Sequence, residues 1–63
     1  MKELLEKFVD KRIRLVKDDG FVVTGFIRKV EENCILFYTD GRELILSFDR
    51  IKEVVPLRGG RHD

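Results

Sequence analysis

Apolar residues recur at two spacings along this chain, and the switch between them divides it into a short helix followed by strands. Lys2 to Phe8 puts Leu4, Leu5 and Phe8 on one stripe and Lys2, Glu3, Glu6 and Lys7 toward water, which predicts about two turns of amphipathic helix. A helix that short is unstable alone, so it must lie on the sheet and close one open end of a barrel. From Arg12 the spacing becomes two. Arg12-Ile13-Arg14-Leu15 alternates polar and apolar, predicting a first strand to Lys17 with Ile13 and Leu15 inward.

Turn chemistry separates the remaining apolar runs. Asp18-Asp19-Gly20 predicts a hairpin, with Asp supplying local side-chain hydrogen bonds and Gly a positive φ. Phe21 to Val30 follows as a long second strand, rich in β-branched and aromatic residues and interrupted by Gly25. A lone glycine inside a strand marks a bend, a bulge or a close backbone approach. Glu31-Glu32-Asn33 forms the next turn, with Asn33 the natural residue for left-handed backbone. Cys34 to Thr39 has no polar face before Thr39 and predicts a central third strand. Asp40-Gly41 is a two-residue type I′ turn into a fourth strand, Arg42 to Ser47, with Leu44 and Leu46 on one face and Glu43 and Ile45 on the other. Phe48-Asp49-Arg50 suffices for a single turn, and Ile51 to Pro56 is a fifth strand ended by proline.

The fold class is therefore mainly β: a short N-terminal α-helix, then a strongly bent five-stranded antiparallel barrel over residues 1–57. Residues 58–63 form a flexible basic C-terminal tail. Filling the interior with Ile13, Leu15, Val23, Ile27, Leu36, Leu44, Leu46 and Ile51 leaves Phe21, Phe26, Ile35, Phe37 and Ile45 on outer faces. Apolar residues beside open strand edges need cover.

Composition strengthens that expectation. A 63-residue chain buries only about 60% of its unfolded surface, so its own core is marginal. Cys34 is the single cysteine, which excludes an internal disulfide, and no Cys/His cluster offers a metal or cofactor site. Oligomerisation is the remaining common device. A net charge of +1 with 40% charged residues is a mixed surface, not a polybasic one. Abundant Lys, Arg and Glu with few Asn and Gln fits a thermophilic source. No apolar run approaches the ~20 residues of a membrane span and no signal-peptide pattern opens the chain, so a cytoplasmic location is expected. No nucleophile, base and oxyanion set is present, so the expected role is non-enzymatic, with no small-molecule substrate.

The series Ile13, Leu15, Gly20, Gly25, Ile27, Val30, Asn33 and Leu36 resembles the first motif of the Sm and Sm-like (LSm) proteins. Ile51-Lys52-Glu53-Val54-Val55-Pro56 is similar to the last strand of their bacterial Hfq branch. The resemblance implies an SH3-like/Sm-like barrel whose fourth strand pairs with a neighbour's fifth to give a homo-oligomeric ring, with single-stranded RNA bound on a ring face or in the pore. The chain also departs from that pattern. Glu31 stands where the family places a stacking residue, and Leu46-Ser47-Phe48-Asp49 does not match the second motif. A structural or protein-interaction ring without a working RNA pocket is thus the alternative.

The candidate RNA-binding residues are Asn33, Arg28, Lys29, Arg50 and Lys52, and the candidate interface residues are Ile45, Phe48, Val54 and Phe37. The Asn33 amide offers donor and acceptor to an unpaired base, or Asn33 is simply a turn residue. Glu31 and Glu32 would repel phosphate beside it. Arg12, Arg14 and Lys17 add cations that a ring would repeat as a belt, or they pair with the acids. Phe37 and Tyr38 face opposite sides of the third strand, so at most one is core and the other can stack on a base. Arg58-Gly59-Gly60-Arg61 is a single arginine-glycine repeat or a solubilising end, and His62 in the same tail lacks metal partners.

Overall fold

The computed structural model describes residues 1–57. The elements are α1 (Lys2–Glu6), β1 (Arg12–Lys17), β2 (Val22–Val30), β3 (Cys34–Thr39), β4 (Arg42–Ser47), a 3-10 turn (Phe48–Arg50) and β5 (Ile51–Pro56). The helix is shorter than its apolar stripe: it ends at Glu6, and Phe8 and Val9 continue past it to pack on the core. The basic tail, its arginine-glycine pair and His62 lie outside the described residues.

All five strands join one antiparallel sheet in the order β4-β3-β2-β1-β5. The sheet is strongly bent and is not closed by pairing of β4 with β5. The register shifts between Ile27 and Lys29 against β3 and between Val16 and Lys17 against β5, and such irregularities kink and twist a strand locally. Gly25 permits the curvature. A Cβ there would lie 2.0 Å from the Tyr38 carbonyl oxygen, so the backbones of β2 and β3 approach closer than any side chain allows. Gly20 and Gly41 serve their turns by conformation instead, with φ of 92° and 80°. In the first turn the Phe21 amide also donates to the Asp19 carboxylate. Asp40, at φ 55°, completes the type I′ pair with Gly41.

The core consists of Leu5, Ile13, Leu15, Ile27, Ile35, Phe37 and Ile51. Ile35 and Phe37 are wholly buried, so the expectation that they face outward is corrected, and Leu36 takes the outer face. The Asp40-Gly41 hairpin dictates this phase. It pairs Phe37 with Leu44 and Ile35 with Leu46, and directly opposed residues share a face. Once Leu44 and Leu46 point inward, Phe37 and Ile35 must do the same.

Candidate nucleic-acid and assembly surfaces

One end of the sheet collects the loops that carry most of the candidate RNA-binding residues. The Phe48 amide donates to the Asn33 carbonyl at 2.9 Å, and the Asp18 amide donates to the Arg50 carbonyl at 2.9 Å. The 3-10 turn therefore bridges the β2–β3 turn and the β1–β2 turn. Its own start is capped by Ser47, whose hydroxyl accepts from the Asp49 amide.

Asn33 is exposed within this cluster. Its backbone is not left-handed, since Asp10 and Asp40 are the non-glycine residues with positive φ among the described residues. The β2–β3 turn is closed instead by the Glu31 amide donating to the Cys34 carbonyl at 2.8 Å, so Asn33 needs no αL conformation. Asp10 was not foreseen. Its φ of 65° lets its amide reach the Ile27 carbonyl where the chain passes from α1 to β1, and the only sequence signal is the tolerance of Asp for that region.

The cations near Asn33 are occupied. Lys29 Nζ lies 3.3 Å from Glu31 Oε2. Lys2 Nζ, arriving from α1, lies 3.0 Å from Glu32 Oε2, and that hydrogen bond together with the carboxylate's charge raises the lysine pKa above its ordinary value. Arg50 donates from Nε to Asp18 Oδ1 at 2.9 Å and holds Asp19 at 3.9 Å, which raises its pKa in the same way. This end thus balances four carboxylates, Asp18, Asp19, Glu31 and Glu32, against three cations. Arg28 is turned elsewhere, with its guanidinium 5.5 Å from the Tyr38 ring centre. Lys52 is exposed on β5. The structure therefore gathers Asn33, Lys29 and Arg50 at one end and leaves Arg28 apart.

The candidate interface residues divide similarly. Ile45 is 75% exposed on edge strand β4. Phe48 and Val54 are half-buried and pack against the core. Phe37 lies inside the protomer and is removed from the interface set, because the hairpin register turns it to the core. Between α1 and the other edge strand, β5, runs a groove of about 200 Å³ lined by Met1, Leu4, Phe8 and Val54 among others. Met1 and Leu4 are each more than half exposed there.

Among the described residues no cluster of His, Cys, Asp and Glu is placed to hold a metal, and no helix is long and apolar enough to cross a membrane.

A short helix followed by a strongly bent five-stranded antiparallel sheet with β4 and β5 at its edges is the mainly β architecture expected from the resemblance to Sm-like proteins. Sequence comparison agrees with the fold. The chain is 32% identical over 53 residues to the LSM2-LSM8 complex subunit lsm8 of Schizosaccharomyces pombe, a stretch covering 84% of this chain and 56% of that protein. No protein-family model matches. Fold and sequence together make the chain similar to Sm-like proteins, and it spans about half the length of the curated relative it matches.

Proposed function

We propose that this module assembles into a homo-oligomeric ring, with β4 of one copy pairing to β5 of the next, and that the ring binds single-stranded RNA weakly. The observation that carries the assembly is the strand order: the two edges left unpaired are β4 and β5. An edge-to-edge contact between two different strands is heterologous, and repeated around a closing rotation it generates a ring. The exposed Ile45 on one edge and the apolar groove beside the other give the contact side chains to bury. Covering Ile45, Leu4 and Met1 would contribute roughly 3–6 kcal/mol before the entropy of association. The relative is named as a subunit of a complex, which supports assembly.

RNA binding is tested by fluorescence anisotropy with oligo-uridine and oligo-adenosine at about 50 and about 200 mM salt, where phosphate-driven binding weakens steeply. The expected result is binding at the lower salt that fades at the higher. The ion pairs around Asn33 favour a second reading, a structural or protein-interaction ring without a working RNA pocket. An assembled protein that binds neither oligonucleotide at either salt would decide for that reading.

A further inference from the structure

We propose that the solvent face of β1, β2 and β3 is a stacking surface for single-stranded nucleic acid, built on Phe26 and Tyr38 and flanked by Lys11, Arg12, Arg14 and Arg28. It rests on the nucleic-acid part of the reading above, and it moves the contact away from Asn33.

Register places the residues. Arg12 lies opposite Phe26 on the neighbouring strand, and Phe26 lies opposite Tyr38 on the next. Ile13, Ile27 and Phe37 point into the core, so their neighbours Arg12, Phe26 and Tyr38 share the other face. The result is a row of one guanidinium and two aromatic rings across three adjacent strands. Arg28, at the point where the β2 register shifts, adds its guanidinium over the Tyr38 ring. Beside Phe26 the surface sinks into an open depression of about 430 Å³ lined by Asp10, Lys11, Arg12, Phe26 and Leu57.

Charge identifies the occupant. Among the described residues, Lys11, Arg12, Arg14 and Arg28 have no carboxylate within 4.0 Å, whereas Lys2, Lys29 and Arg50 at the loop end are all paired. The acids on this face are Asp10 in the depression, Glu43, opposite Tyr38 on β4, and Glu53, opposite Val16 on β5. Four cations without carboxylate partners, one of them over the Tyr38 ring, around two partly open aromatic rings match a chain of phosphates and unpaired bases, since bases stack on aromatic and guanidinium planes while cations hold the backbone. A duplex, whose bases are already stacked, would not fit. The surface lies on the central strands, so contacts along β4 and β5 leave it open.

Tyr38 is the only tyrosine and the chain has no tryptophan, so intrinsic emission reports this site directly. Labelled oligo-uridine and oligo-adenosine are titrated at about 50 mM salt into the unmodified protein and into Tyr38→Leu, Tyr38→Phe, Phe26→Leu and Asn33→Ala, with sedimentation of each variant to compare assembly. The expected result is quenching of tyrosine emission in step with anisotropy, and affinity lower by about fivefold or more in both leucine variants. Tyr38→Phe, which keeps the ring, should retain binding, and Asn33→Ala should change it little. Unchanged affinity in both leucine variants would overturn the stacking surface, and loss in Asn33→Ala alone would then return RNA binding to the loop end. No binding by the unmodified protein would remove both readings.

Discussion

Replacing Gly25 with alanine adds one methyl group where the structure has no space for it. The new Cβ would lie 2.0 Å from the Tyr38 carbonyl oxygen, 3.0 Å from the Tyr38 carbonyl carbon and 3.1 Å from Thr39 Cβ. Two of these three neighbours are backbone atoms of the paired strand, so no rotamer change relieves the contact. β2 and β3 must move apart by about 1 Å, against a strand spacing of about 4.8 Å, which breaks or lengthens the adjacent ladder hydrogen bonds. Losing one or two bonds and leaving their groups unpaired costs about 2–4 kcal/mol. Opposing this, alanine is favoured over glycine in a strand interior by roughly 0.5–1 kcal/mol, so the clash wins by about 1–3.5 kcal/mol. For a domain of this size that lowers Tm by about 5–25 °C, a large part of the stability expected for so short a chain. Thermal circular dichroism at matched protein concentration measures it. Gly20→Ala is the control, because a Cβ there meets nothing within 4 Å and only the φ of 92° is strained. If Gly25→Ala melted at the parent temperature, or less than Gly20→Ala below it, the close approach of β2 and β3 would be wrong.

Three further outcomes follow from burial and charge. Ile45→Lys changes a side chain that is 75% exposed in the protomer, so its effect on an isolated protomer should stay within about 0.5 kcal/mol. Combined loss of assembly and of Tm in that variant would therefore come from the edge contact, and an unchanged sedimentation profile would remove Ile45 from the interface. Phe37→Ala should cost about 3–5 kcal/mol in denaturant unfolding, and Tyr38→Ala much less, because the first ring is wholly buried and the second lies on the outer face. Equal costs would mean the phase of β3 is misassigned. The raised Lys2 pKa means the folded state holds that proton more tightly than the unfolded chain. The tie to Glu32 is thus fully present below the ordinary lysine value of 10.5 and is lost as pH rises through the raised value. Lys2→Met should accordingly flatten the loss of stability measured as pH rises above 10.5, and an identical slope in both proteins would show that the pair does not form.

The strand boundaries were legible because turn chemistry marks them. Asp18-Asp19-Gly20 and Asp40-Gly41 behave as their residue types require, and β3, β4 and β5 begin and end where the apolar runs do. The phase of β3 was not legible from its own residues, because an apolar run without a polar face carries no period. It could be recovered only by combining the two-residue turn with the inward leucines of β4, which fixes Phe37 opposite Leu44. The charge environment of Asn33 was half legible. Glu31 and Glu32 stand next to it in sequence, but two of the ion pairs at this end join residues far apart along the chain, Lys2 with Glu32 and Arg50 with Asp18. The Arg12–Phe26–Tyr38 row is likewise a product of register across three strands, and residue spacing within any one strand does not reveal it.

The central claim, that β4 and β5 are edges completed by other copies of the same chain, is tested most directly by sedimentation equilibrium of the unmodified protein at micromolar concentration. The account predicts a single closed species whose mass is a whole-number multiple of 7.5 kDa, returned toward the monomer by Ile45→Lys. A stable monomer of 7.5 kDa would contradict it.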